Sequence, residues 1–346
     1  MTQATRKSYD RKPSDPHAFR RLVDEVKANH NISDVVGLYT KLHRRGKLEM
    51  VGLCPLHDER SPSFEVNNDK GTWHCWGGCG GGDMFAFLIK REGMTFGEAY
   101  RAIAGSTLPL VTEEDRAKRK AESDAILAAR VQLAREIWDQ AKGAEGTPAQ
   151  VYALSRGITE PLPNTVRFAT IPRWRDPETG EVGRSYPAMV CALQDVAGDL
   201  VGVQCVFLAD GGKRKYARVN SDGTKAKAKL SYGSIMGSAF RASGSDRTAP
   251  PPTHLTLCEG PEDGLTLAQA LPGSAVYVAC GTALMPRLCL PETVKRITLA
   301  CDNNPAGREA VGKCVVEFEL RGLEVLQMFP VEWAKDWNDE LRGIRS

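Results

Sequence analysis

A chain of 346 residues, 42% hydrophobic and 26% charged, can bury two or three cores, and this composition excludes a fibrous or largely disordered protein. A formal net charge of +3 is too small to argue for a polyanionic partner by itself, which needs charge concentrated on one face. No window approaches roughly 18 uninterrupted apolar residues, and the opening MTQATRKSYDRKPSD lacks the apolar stretch of a signal peptide, so a membrane protein is excluded and a cytoplasmic one expected.

Residues 1–18 read as a flexible N-terminus. A helical pattern follows, with Ile32, Val35, Val36, Leu38 and Leu42, and ends in the basic turn Arg44-Arg45-Gly46-Lys47. Cys54, His57, Cys75 and Cys79 then come as two close pairs separated by a hairpin-length stretch. Zinc takes four such ligands tetrahedrally, and a closed Cys3His set leaves no open position, so the expected role is structural. Binding would contribute on the order of 10 kcal/mol to folding. His74 is a rival for Cys75, but neighbours on a strand point to opposite faces and the thiolate is the better ligand. Asp83 then reads as an N-cap for a helix from Met84 to near Gly93. Thr95 and Glu98 read as a capping box for a second helix ending at Gly105, which closes a zinc domain over 19–106.

Residues 112–142 carry Ile126, Leu127, Val131, Ala134, Ile137, Trp138 and Ala141 at helical spacing. The first half, DRAKRKAESD, is polar all round, so 107–145 is read as a solvent-exposed helical linker, with a partner-binding helix as the alternative. From 146 to 245, strand patterns at 166–168, 189–193 and 200–208 alternate with turns such as Asp176-Pro177-Glu178-Thr179-Gly180, an α+β region. It contains Lys213, Arg214, Lys215, Arg218, Lys225, Lys227 and Lys229 against only Asp210 and Asp222, which is either a solvated loop or a phosphate-binding strip. Cys191, Cys205, Cys258, Cys280, Cys289, Cys301 and Cys314 lie in or beside apolar runs and read as reduced core residues.

After the polar connector 243–253, strand and helix patterns alternate, which predicts a parallel sheet with right-handed crossovers. Such sheets bind at the carboxyl ends of their strands. Glu259, Asp302 and Asp336 each follow a strand-like segment, so they would converge on one rim and hold Mg2+ through oxygen ligands. The fold expected is multidomain α+β and α/β: a zinc-ribbon-like β-sheet module, a helical linker, a mixed α+β subdomain and, over 254–346, a Rossmann-like parallel sheet.

The segment GLCPLHDERSPSF with WHCWGGCGGGD resembles the CHC2 zinc-binding domain of DnaG-type bacterial primases. EGPEDGLTLAQAL, ACGTAL, LACDNNPAGREA and KDWNDEL resemble the Toprim fold that those primases share with topoisomerases and some nucleases. The resemblance implies that Glu259 is the Toprim glutamate, that Gly281 begins the turn after the second strand, and that Asp302 and Asp336 carry Mg2+ or Mn2+. Two departures stand out: the second acids of the family's pairs are here Asn304 and Asn338, whose carbonyls could still ligate, with Asp339, Glu262 or Asp263 as compensating acids. The zinc pair Cys75 and Cys79 also encloses three residues where the family usually has two.

The implied activity is synthesis of short RNA primers from nucleoside triphosphates on single-stranded DNA. Lys213, Arg214, Lys215, Lys225, Lys227, Lys229 and Lys335 would grip template or triphosphate. Trp73 and Trp76 would stack on unpaired bases, as could Phe64, for which a place beneath the sheet is the stronger expectation. A Toprim nuclease and a single-stranded-DNA binder with a decayed site are the alternatives. The compact plan resembles primases of phages, plasmids and other mobile elements, for which a replicative helicase would be a separate partner.

Overall fold

The computed structural model describes residues 16–45, 48–176, 179–219, 223–246 and 248–345. Most of the flexible N-terminus, Gly46-Lys47 of the basic turn, Pro177-Glu178 and Asp222 lie outside the described residues. The chain divides into two compact units, 1–125 and 126–346.

In the first unit, helices α1 (Pro16–Asn29) and α2 (Ile32–Val36) precede an antiparallel sheet whose five strands follow chain order. These are β1 (His43–Arg45), β2 (Glu49–Gly52), β3 (Phe64–Asn67), β4 (Thr72–Cys75) and β5 (Gly80–Gly82). Along β3 and β4 burial alternates, so Phe64, Val66, Trp73 and Cys75 face inward onto Met84, Phe85, Phe87 and Leu88 of α3 (Met84–Glu92). The predicted helix signals are present: Asp83 accepts the Ala86 N–H at 2.9 Å, and Gly93 ends α3 in the left-handed region at φ 67°. Thr95 and Glu98 form the capping box of α4 (Phe96–Ala104).

The polar helix read as a solvent-exposed linker is exposed over most of its first half and is also anchored there. It runs as α5 (Glu113–Gln140), and its first half is tied to the first unit by polar bonds. Arg116 and Arg119 donate to Asn29 Oδ1 (3.2 Å) and Asn31 Oδ1 (2.5 Å), and Ser123 donates to Asp69 Oδ2 (2.9 Å). Hydrophobic periodicity cannot report such contacts. Its second half packs Ala134 and Ile137 into the second unit against Val190, Val203, Cys205 and Phe207.

Among the described residues, one eleven-stranded sheet runs through this unit, from its antiparallel part into the parallel part expected over 254–346. Its antiparallel end holds β6 (Lys142–Gly143), β7 (Val166–Pro172), β8 (Ser185–Gln194), β9 (Leu200–Ala209), β10 (Arg214–Lys215) and β11 (Lys229–Gly233). The splice is β12 (Ala239–Arg241), where Phe240 pairs with Leu193 on one side and Val278 on the other. Beyond it β14 (Ala275–Val278), β13 (His254–Cys258), β15 (Arg296–Ala300) and β16 (Glu324–Met328) run parallel in that spatial order. Alternation along the strands gives two cores. Cys258, Val276 and Val278 face α6 (Pro148–Ser155) and α7 (Pro261–Ala270), whereas Leu255, Leu257 and Tyr277 face α8 (Pro305–Leu320). A short α9 (Trp337–Leu341) follows the last loop.

The cysteines outside the zinc segment form no disulfide; five of them are buried, but Cys289 is exposed on a loop and is no core residue. The turn after β14 pivots on Cys280, left-handed at φ 61° with its carbonyl accepting Gln204 Nε2–H at 3.1 Å, while Gly281 is extended. No described helix is long and apolar enough to cross a membrane.

Candidate zinc centre and acidic rim

Cys54 and His57 sit on the β2–β3 connection, Cys75 ends β4, and Cys79 immediately precedes β5. Their ligand atoms all lie within 4.8 Å of one another. Cys54 Sγ is 3.9 Å from Cys79 Sγ, and His57 Nδ1 is 3.2 Å from Cys79 Sγ and 3.8 Å from Cys75 Sγ. Four ligands placed about 2.0–2.3 Å from a tetrahedral Zn2+ stand roughly 3.3–3.8 Å apart, so the gap is the size the ion needs. His74 is exposed, its ring edge-on to Trp76 at 4.5 Å, as strand alternation requires.

Glu59, which no ligand spacing singles out, organises this centre. Its Oε2 lies 3.2 Å from His57 Nε2, so Nδ1 is left facing the thiols. Its Oε1 accepts the N–H groups of Cys54 (2.6 Å) and Ser63 (3.0 Å). Burial would raise its pKa, but the Ser63 and Cys54 hydrogen bonds and His57 reverse this, so the group is held as an anion. Gly77 completes the cradle: a Cβ there would lie 2.6 and 2.7 Å from the His57 ring, which leaves no room for a side chain in the longer Cys75–Cys79 turn. Because carboxylates behind a ligating imidazole set its orientation and basicity, Glu59→Ala should weaken zinc binding about 10- to 100-fold, read by competition with a chromophoric chelator.

The second site gathers carboxylates at the carboxyl ends of parallel strands. Glu259 follows β13, Asp302 follows β15, and Asp336 caps α9 by accepting the Asp339 N–H at 2.8 Å. Burial, then Glu259 and Asp336, push the Asp302 carboxyl up to about 6. Asp263, in the first turn of α7, is pushed up to about 8 by burial, then by Asp336, Glu262 and Asp302. These acids therefore share one field. They are looser than the zinc set, which among the described residues is the one group of three or more such ligands gathered within 4.8 Å.

The two asparagines are differently employed. Asn304 caps α8, its Oδ1 accepting the Gly307 N–H at 2.8 Å while its Nδ2 donates to Asp302 Oδ2 at 3.3 Å. The carbonyl expected as a ligand is thus committed to the helix. Asn338 is buried; its N–H donates to Asp263 Oδ1 (3.1 Å) and its Nδ2 to Arg156 O (2.8 Å) and Thr266 Oγ1 (3.0 Å), which fastens α9 to α7 and to the end of α6. Glu262 is no spare ligand either. Its Oε1 accepts Tyr152 O–H at 2.7 Å and lies 3.2 Å from Lys215 Nζ, and its Oε2 lies 2.6 Å from Lys229 Nζ. Burial would raise its pKa, but Lys229 and Lys215 hold it well below the usual carboxylate range.

Of the basic strip, Lys213, Lys225 and Lys227 are exposed, Arg214 pairs with Asp210, and Lys215 and Lys229 belong to Glu262. Lys335 is exposed beside Asp336. Trp76 is 70% exposed. Trp73 is not available for stacking on bases: it is 3% exposed, parallel to Phe64 at 5.1 Å, and its Nε1–H donates to Asp83 O at 3.1 Å.

Residues 18–120 match the CHC2 zinc finger family, 254–343 match the Toprim domain, and 128–242 match a domain of unknown function. The DNA primase of Streptomyces coelicolor is 27% identical over 355 aligned positions, 90% of this chain and 52% of its own. The chain is a relative of the DnaG-type primases. The Enterococcus faecalis DNA primase is 36% identical over 166 residues, 45% of this chain and 26% of its own. The chain spans about half or less of the length of these curated relatives. Among solved structures, the zinc-binding and RNA polymerase domains of the Aquifex aeolicus primase align with 93% of this chain and 82% of theirs, at 17% identity and a TM-score of 0.42, too loose a superposition to argue from.

Proposed function

We propose that this chain is a DNA primase that makes short RNA primers on single-stranded DNA by divalent-metal-dependent nucleotidyl transfer. The observation that carries this reading is the acidic rim, where burial and mutual repulsion push Asp302 and Asp263 up to about 6 and about 8 beside Glu259 and Asp336. Carboxylates crowded in this way are what a hard cation with oxygen ligands relieves. Mg2+ or Mn2+ bound by Glu259, Asp302 and Asp336, with Asp263 behind them, would lower the pKa of the attacking 3′-hydroxyl and stabilise the leaving pyrophosphate.

The chain's own residues supply position. The hydroxyl oxygen forms the new bond to the α-phosphorus as the bond to pyrophosphate breaks, so no protein nucleophile takes part. Lys335 and the exposed Lys213, Lys225 and Lys227 favour phosphate by charge, which makes binding salt-dependent. Trp76 on the zinc sheet offers a platform for an unpaired base, worth about 1–3 kcal/mol.

The test is incorporation of labelled nucleotides on varied single-stranded templates with Mg2+ and with Mn2+. Wild type should give short products, and Glu259→Gln should lose at least about 100-fold in rate, because a charge that acts on the transition state is removed. The commitments of Asn304 and Asn338 keep one rival in view, a DNA binder whose rim no longer holds metal. Intact single-strand binding with no products on any template would favour that rival, and metal-dependent cleavage of DNA would favour a nuclease.

A further inference from the structure

Glu262 is a carboxylate 5% exposed in the first turn of α7, three residues after Glu259, and each of its oxygens faces a lysine ammonium group. Tyr152 comes to it from α6, Lys215 from β10 and Lys229 from β11, so three other elements converge on one buried anion. An uncompensated carboxylate at such depth would be expensive, and the two ammonium groups remove that cost. At Glu262 itself they overcompensate, since one negative charge faces two positive ones, while Lys229 also lies in the field of Asp263. The arrangement is also layered: the Glu262 side chain is 7% exposed, whereas those of Lys215 and Lys229 are 37% and 33% exposed. The anion lies beneath, and the excess positive charge faces solvent.

That excess sits at the acidic rim. A Cβ placed on Gly260, the residue after Glu259, would be 3.2 Å from Lys229 Nζ, and the field of Lys229 reaches Asp302. We propose that Glu262 is a positioning residue, the fixed anion that holds Lys215 and Lys229 as a preorganised cationic pair for the triphosphate of an incoming nucleotide. This rests on the primase reading above. A lysine is a flexible point charge, and two of them pinned on a rigid buried carboxylate lose less freedom when phosphate arrives. Released from Glu262, Lys229 still lies in the field of Asp263, and its own field reaches Asp302, so it would quench the rim instead of serving it.

The proposal makes a prediction opposite in sign to that of a plain ion pair. If Glu262 only neutralised the lysines, Glu262→Gln would free two positive charges and tighten nucleotide binding. If it positions them, Glu262→Gln should weaken binding of a fluorescent ATP analogue to the full chain about tenfold, raising KM with kcat changed much less, as expected when binding shared by ground and transition state is removed. In a background carrying both Lys215→Met and Lys229→Met the same change should have little further effect, because Glu262 acts through those two lysines. Glu262→Asp keeps the charge one methylene back and should cost about threefold; it carries the test if Glu262→Gln does not fold. Unchanged or tighter binding in either variant overturns the proposal alone, whereas a wild type that binds no nucleotide overturns the primase reading with it.

Discussion

Removal of zinc with a strong chelator should unfold the first unit and leave the second folded. The sheet of the first unit has strands of only three or four residues, and two ligands of the centre, Cys54 and Cys75, are themselves members of its buried cluster with Phe64, Trp73 and Phe87. Packing and metal binding are therefore the same event. A structural zinc contributes on the order of 10 kcal/mol, comparable with the whole stability of a domain. The second unit has its own cores on both faces of an eleven-stranded sheet and shares no ligand with the centre. Calorimetry should accordingly show two transitions, of which the first is lost on chelation or in Cys54→Ser while the second moves by no more than a few degrees. Hydrogen exchange assigns them: protection lost across β2–β5 and α3 and retained in β8, β9 and β13–β15. Protection unchanged in the first unit after the metal is gone would mean that its apolar core suffices alone.

Alternation along β4 shows how much the sequence held and how it could be misused. The parity that separates Cys75 from His74 also puts Trp73 on the side of Cys75, and a tryptophan two residues from a buried ligand is itself buried. The information was local, and only a motif-like expectation of aromatic stacking obscured it. Glycine and cap signals at Asp83, Gly93, Thr95 and Glu98 were equally legible because they act within one turn. What the sequence could not disclose is pairing at long range. Nothing in Ala239–Arg241 says that three residues splice an antiparallel sheet to a parallel one, and nothing in DRAKRKAESD says that its arginines find Asn29 and Asn31. At the rim the acids after strands were readable from topology, but Glu262 reads as an extra acid until Lys215 and Lys229, brought from distant strands, are seen beside it.

The two asparagines should respond in opposite ways to restoration of the family's acids. Asp serves as well as Asn at an N-cap, and the first turn of α8 favours negative charge, so Asn304→Asp keeps the bond to the Gly307 N–H. It exchanges a long hydrogen bond to Asp302 for repulsion between two carboxylates, which should lower stability by no more than about 1 kcal/mol without metal. With that charge added, Mn2+ should bind about tenfold more tightly, as counted by the loss of free-ion signal in electron paramagnetic resonance. Asn338→Asp has no such outlet. The amide that donates to Arg156 O at 2.8 Å would become an oxygen facing an oxygen, and a buried carboxylate would join Asp263, already pushed up to about 8. A cost of about 3–5 kcal/mol follows from an uncompensated buried charge, and for a unit of this size that corresponds to roughly 6–20 °C in Tm. Cation binding should not rescue it, because the strain lies in the contact with Arg156. If Asn338→Asp instead proved as stable as wild type and gained Mn2+ affinity, position 338 would be a metal position and the fastening of α9 would have to rest on other contacts.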